Sequence, residues 1–254
     1  MDQVSAKRSY FSSTRIAVIA MFATLAAVLY VLNFSIPFAF PSFLEFKFSD
    51  IPVLIGSFTL GPVSAAIIVV VEILIKLIIE GTSTMFVGEL SDLITSCAFA
   101  VTAGFIYSKK RTFKGALIGM AVGTAAEVIV AVLFNWLVLV PFYVQAFFGG
   151  KWEPLINMMT PLFPNCTKET FYNFYLWASV LPFNLLRCMV AVAVTLPVYK
   201  RISLLINKFN AKITPKTEAD KDMSKTLNIV SIIIAVSILV LLVTFALLRC
   251  FVFE

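Results

Sequence analysis

The sequence predicts an all-α integral membrane protein, with a six-helix core and one additional C-terminal transmembrane helix. Three observations predict it. The chain has 254 residues, of which 60% are hydrophobic and only 13% charged. Soluble domains have roughly 45–50% apolar and about 25% charged residues, so lipid must be the solvent for most of this surface. The apolar residues fall into seven runs, most of them close to the roughly 20 residues that cross the hydrocarbon. Lys and Arg, 20 against 14 Asp and Glu, concentrate between runs, which in a membrane protein marks cytoplasmic loops and not a nucleic-acid partner.

Lys7, Arg8 and Arg15 precede and orient the first run, 16–32, which is too long for a signal-peptide core and reads as a retained helix. Asn33 and Pro37 close it. The second run, 51–60, is short and ends at Gly61-Pro62. It needs extension at Ser49-Asp50, or shielding by other helices, to sit in a membrane. Ser49 or Asp50 is placed to cap it, with Pro52 in its first turn. The third run is 63–79. The fourth, 87–107, is followed by Lys109, Lys110, Arg111 and Lys114. The fifth, 115–140, is ended by Pro141, and its Gly115, Gly119 and Gly123 permit close helix contact. A long loop to Tyr172 leads to the sixth run, 174–199. Residues 206–226 read as a polar, basic linker, and 227–251 is almost purely aliphatic. The positive-inside rule then puts the N-terminus, 109–114 and 200–226 in the cytoplasm and 34–49, 80–87 and 141–173 outside. The C-terminus is outside if the last run spans.

Several chemistries are excluded. There is no histidine, so the commonest proton relay and metal ligand is missing, along with any His-based nucleophile activation. Cys97, Cys166, Cys188 and Cys250 form no CxxC pair and read as small buried residues, not as a metal site or disulfide. The chain does not read as an enzyme. It also lacks G-x-x-x-x-G-K-[ST], so any ATP used must be hydrolysed by a partner.

Ionisable and amide groups within the runs are functional candidates by default. Glu72, Lys76 and Glu80 share one helical face and read as a mutually neutralising ladder or, at Glu80, as part of an outer mouth. Glu127 reads as a partnered packing residue or as an ion site. Asn135, with Asn184 and Arg187 at i, i+3, falls in the outer half by the same topology. An amide offers both donor and acceptor, which suits a ring with imide-like edges, and Arg187 adds a cationic fork. The alternative for this trio is interhelical hydrogen bonding. The segments 41–52 and 81–89 bring aromatic rings, hydroxyls and helix starts to the same outer side.

The string LEFKFSDIPVLIGSFTLG at 44–61, followed by Pro62 and by GTSTMFVGEL at 81–90, resembles the substrate-binding S components of energy-coupling factor (ECF) vitamin transporters, the riboflavin-specific type in particular. The resemblance covers about residues 10–205. PFNLLR at 182–187 resembles that type's Asn-x-x-Lys site, with Arg187 where lysine is common. The resemblance implies residues 1–205 as a six-helix substrate-binding domain, 206–226 as a cytoplasmic linker and 227–251 as a helix outside the family pattern. It implies riboflavin as the transported ligand with no cofactor, a bacterial cell membrane, and as partners a transmembrane scaffold subunit and two ABC ATPases. Its implied ligand contacts are Asn135, Asn184 and Arg187 at the pyrimidine edge, Lys47, Thr82, Ser83, Met85 and Gly88 towards the ribityl chain, and Glu45 and Phe46 also within the site. Phe46, Phe48 or Trp136 would stack on the ring. Small residues of the first helix, Ala20, Ala23, Thr24 and Ala27, would contact the scaffold. An S component for another vitamin or FMN, and a stand-alone secondary transporter, are the alternatives. The latter should carry inverted repeats, which the sequence does not display.

Overall fold

The computed structural model describes residues 13–213, with side chains as far as Pro197. Lys7, Arg8, Cys250, the end of the 206–226 segment and the 227–251 helix lie outside the described residues. The helices are α1 (Ser13–Val31), α2 (Asp50–Leu60), α3 (Pro62–Glu80), α4 (Val87–Lys109), α5 (Phe113–Phe147), α6 (Glu153–Met159) and α7 (Leu181–Ile213). A π-helical segment, Asn173–Val180, leads into α7. Between α1 and α2, β1 (Phe34–Ser35) and β2 (Glu45–Phe46) pair antiparallel, Phe34 opposite Phe46.

Five stretches of the described residues are long and apolar enough to cross a membrane: Ser13–Val31, Pro62–Glu80, Val87–Lys109, Phe113–Phe147 and Asn173–Pro197. Met21, Leu74, Ile78 and Ile129 stand exposed on their outer faces, where only lipid solvates such side chains well. The second run is the exception. At 11 residues α2 is only about 16 Å long. It survives by shielding: Pro52, Val53, Leu54, Ser57 and Phe58 are buried, and α1, α3, α4 and α7 pack around it. Its expected side-chain cap is not made. Ser49 occupies the N-cap position without a capping hydrogen bond, and the Asp50 carboxylate turns into the bundle instead.

The glycine spacing on α5 does what it predicts. A methyl group at Gly119 or Gly123 would lie 2.7 Å from the carbonyl oxygen of Ala103 or Phe99 on α4. The two backbones therefore approach as only small residues allow. Gly115 serves differently, lying under the Lys110 carbonyl of the α4–α5 turn.

Two boundaries depart from expectation. Pro141 does not end the fifth run, which continues to Phe147. Proline lacks a donor and clashes with the carbonyl four residues back. Here π-helical turns at Asn135–Leu139 and Tyr143–Phe147 flank it, and the wider i→i+5 register absorbs the misfit. The sixth run continues as α7 to Ile213, through Pro197.

Arg15 sorts the two ends of the bundle. It donates to Ser64 Oγ at 3.0 Å and to the Leu60 carbonyl, tying the start of α1 to the α2–α3 turn. The far end of α1 and the start of α2 gather at the other end of the bundle, where the polar residues collect.

Candidate functional site

A cavity of about 350 Å³ opens at that end, between α1, α3, α4, α5, α7, the β1–β2 connection and the roof formed by residues 148–158. That volume falls in the small-molecule range. Its wall mixes aromatic rings (Tyr30, Phe43, Tyr143, Tyr175, Phe183) with charged and amide groups.

The charges form a buried network. Arg187, 4% exposed, holds Asp50 through Nε at 3.1 Å, Glu127 through Nη2, and lies 3.9 Å from Asp92. Ser96 donates to Asp50 at 3.0 Å and the Cys188 thiol donates to Glu127. Lys47 pairs with Asp92 at 2.6 Å and sits 4.1 Å from the Tyr30 ring centre, while the Tyr30 hydroxyl donates to the same Asp92. A buried charge is tolerated only when it is compensated, and Lys47, Asp50, Asp92, Glu127 and Arg187 each have an opposite charge within 4 Å. Glu127 is therefore the partnered residue of the two alternatives. Glu72, 2% exposed, has no ion pair among the described residues. Its proposed ladder does not form. Lys76 reaches past Glu72 and Glu80 to Glu89 on α4, at 2.7 Å, a carboxylate that the Thr82 and Thr84 hydroxyls also hold in place.

Glu89 also organises the 81–88 loop. Its Oε2 accepts from Thr82 and Thr84 hydroxyls at 3.0 and 2.7 Å. Those hydroxyls in turn accept from the backbone N–H groups of Phe86 and Gly88, holding Met85 and Phe86 at φ 49° and 68°. Such values are rare for bulky residues, so the loop is held in one strained form.

The amides lie opposite. Asn135 Nδ2 donates to the Ala131 carbonyl at 2.8 Å, and its Oδ1 accepts from the Tyr175 hydroxyl at 2.5 Å. Asn184 Nδ2 donates to the Val180 carbonyl at 2.8 Å. Each amide thus keeps one N–H and at least one lone pair for the cavity.

Of the residues singled out in the sequence, Glu45, Lys47, Ser83, Gly88, Asn135, Asn184 and Arg187 line this cavity together. Phe46 does not; it is buried against Phe183 and Phe48. Thr82 braces the loop from behind, and Met85 is 57% exposed outside the lining. Trp136 is 49% exposed on the outer face, and Phe48 lies outside the lining too, so neither is placed to stack there. The small residues of α1 divide. Ala23 and Ala27 are buried within the bundle, whereas Ala20 and Thr24 are exposed. Tyr30, Asp92 and Tyr175 were missed. Asp92 had a signal, an acidic side chain one turn into an apolar run, whereas Tyr30 and Tyr175 look like ordinary membrane aromatics. Cys97, Cys166 and Cys188 are free thiols, and no group of potential metal ligands forms among the described residues.

A helical membrane bundle with a polar-walled cavity at one end defines a small-molecule-binding membrane protein. Comparison with known proteins makes this specific. The family described as "ECF transporter, substrate-specific component" matches residues 14–199. The chain is 27% identical over 194 residues to riboflavin transporter RibU of Staphylococcus aureus, covering 76% of this chain and 93% of the relative. It is 26% identical to riboflavin transporter FmnP of Bacillus subtilis, covering 71% and 87%, and 30% identical to RibU of Lactococcus lactis, covering 69% and 86%. A solved structure described as the S component of a bacterial ECF transporter superposes with TM-score 0.58 at 27% identity, over 76% of this chain and 98% of the other. The protein belongs to the ECF-transporter S components, the substrate-specific components of these transporters, and is not an enzyme.

Proposed function

We propose that this chain is the riboflavin-binding membrane subunit of an ECF-type importer of a bacterial cell membrane, capturing the vitamin at the outer face and releasing it inward when coupled to a scaffold subunit and two ABC ATPases. The observation that carries the reading is the pair of half-satisfied amides, Asn135 and Asn184, in one aromatic-walled cavity. A flavin presents an imide edge of alternating carbonyl and N–H groups, which such amides match, and a flat ring for the aromatic wall. Lys47, Glu45, Ser83 and Gly88 line the remainder of the cavity, a polar surface suited to the ribityl hydroxyls. The names of the relatives point the same way.

In this reading residues 1–205 form the binding domain, 206–226 a cytoplasmic linker and 227–251 an added helix. The N-terminus is cytoplasmic, and Ala20 and Thr24 lie on the coupling face. The purified chain, tested by fluorescence titration, should bind riboflavin and leave thiamine unbound, and Asn135→Ala and Asn184→Ala should each weaken riboflavin binding. No flavin binding would sink the function, and unchanged affinity in both variants would sink the site.

A further inference from the structure

The amide of Asn135 has two ways to sit, and only one presents its donor and acceptor in a fixed order. The backbone decides half of the question. The Ala131 carbonyl can only accept, so the atom facing it at 2.8 Å is Nδ2. Oδ1 then faces the Tyr175 hydroxyl at 2.5 Å, which must donate to it. Tyr175 is fixed in turn: it is 2% exposed, and its ring stacks on Phe171 at 5.3 Å and 27° and lies 5.8 Å from Phe43. It sits in the π-helical lead-in to α7, and Asn135 sits at the start of a π-helical turn in α5. Both turns depart from α-helical register at the cavity wall, a frequent mark of functional positions. Asn184 repeats the arrangement with only half the restraint. Its Nδ2 is pinned to Val180, but no donor to its Oδ1 is recorded among the described residues.

We infer that Tyr175 is a specificity-determining positioning residue, whose hydroxyl locks the Asn135 amide so that one N–H and one lone pair meet the imide edge of the ligand. The inference rests on the proposed flavin function and deepens it. The Tyr175 ring is part of the aromatic wall, but the specificity comes from its hydroxyl, which acts through Asn135. Its donation occupies one Oδ1 lone pair, polarises the amide and strengthens the remaining N–H as a donor. A site built to hydrogen-bond an N–H rejects an analogue without it far better than a hydrophobic site can.

The test compares riboflavin with N3-methylriboflavin, which lacks the imide N–H, on the purified full chain in detergent. The wild type should prefer riboflavin by 100-fold or more. Tyr175→Phe keeps the ring stacking; it should bind riboflavin about tenfold more weakly, the effect of one hydrogen bond, and its preference over the methylated analogue should shrink several-fold. In an Asn135→Ala background the Tyr175→Phe change should have no further effect on affinity, as expected of two residues acting as one unit. The melting temperature without ligand reports whether each variant is folded, and the wild-type preference stands as a measurement that needs no variant. Equal binding of the two flavins by the wild type, an unchanged preference in folded Tyr175→Phe, or losses that multiply in the double variant would each overturn the inference and leave the flavin function intact. If the wild type bound neither flavin, the function itself would fall and the inference with it.

Discussion

The Arg187 network yields a prediction whose sign reverses between backgrounds. Glu127 is fully buried, Asp50 is 2% exposed, and both lean on one guanidinium. Breaking a buried ion pair by removing one partner costs about 3–5 kcal/mol, because an uncompensated charge is left behind. Arg187→Met strands two carboxylates, so its cost lies at the upper end of that range. Glu127→Leu leaves Arg187 with Asp50 at 3.1 Å, and its cost lies at or below the lower end. In the Arg187→Met background, however, Glu127→Leu removes a stranded charge and fills its place with an apolar group, so it should stabilise. At about 2–4 °C per kcal/mol for a chain of this size, Arg187→Met should lower the ligand-free melting temperature by roughly 10–20 °C. Adding Glu127→Leu should return several degrees of that. The assay is thermal denaturation in detergent, followed by tryptophan fluorescence, on the four proteins of the cycle. If Glu127→Leu destabilised both backgrounds equally, the pairing of Arg187 with Glu127 would carry no energy and the argument would fail.

Three other outcomes follow from the same geometry. FMN should bind at least tenfold more weakly than riboflavin in a competition titration, since Lys47, Lys76 and Arg187 already serve Asp92, Glu89, Asp50 and Glu127 and a phosphate adds about −1.5 to −2 charge; equal affinities would refute the charge argument. Glu89→Ala should release Thr82, Thr84 and Lys76 together and raise the flavin dissociation rate by about tenfold or more in stopped flow, with little change in helix content by circular dichroism. Gly123→Val, whose first side-chain carbon alone would meet the Phe99 carbonyl at 2.7 Å, should cost about 1–3 kcal/mol of stability, whereas a valine at Gly149, with open space around it and only a positive φ to resist it, should cost less; a melting series ranks the two.

Much of this architecture was legible in the sequence, for definite reasons. Spans and their order follow from hydropathy, because lipid contact demands long apolar runs and leaves little else possible. Gly119 and Gly123 announced their packing through spacing alone. The ends of helices were less legible: Pro141 reads as a stop unless the π-helical turns beside it are known, and these come from tertiary packing. Within the site, the amides and Arg187 stood out because polar groups in apolar runs do. Their partners did not. Whether Lys76 bonds Glu80 on its own helix or Glu89 on the next depends on which helices become neighbours. Ala23 and Ala27 form the more conspicuous small-residue pair on α1, yet burial turns that pair inward and leaves Ala20 and Thr24 outside.

The length of α5 has a consequence for where the ligand meets the protein. Its 35 residues span about 52 Å, against about 30 Å of hydrocarbon. Even at a tilt of about 40° the membrane takes up only about 39 Å of it, so its last turns stand in water. Asn135 falls about 33 Å along from Phe113, near the hydrocarbon boundary. The turns beyond it join α6, Phe171 and Tyr175 in a hydrophobic cluster of their own. The binding chamber therefore has a wet roof over a floor of ion pairs set in the apolar bundle. A partly polar ligand can seat its flat ring against protein at the water line without its hydroxylated tail ever being solvated by lipid.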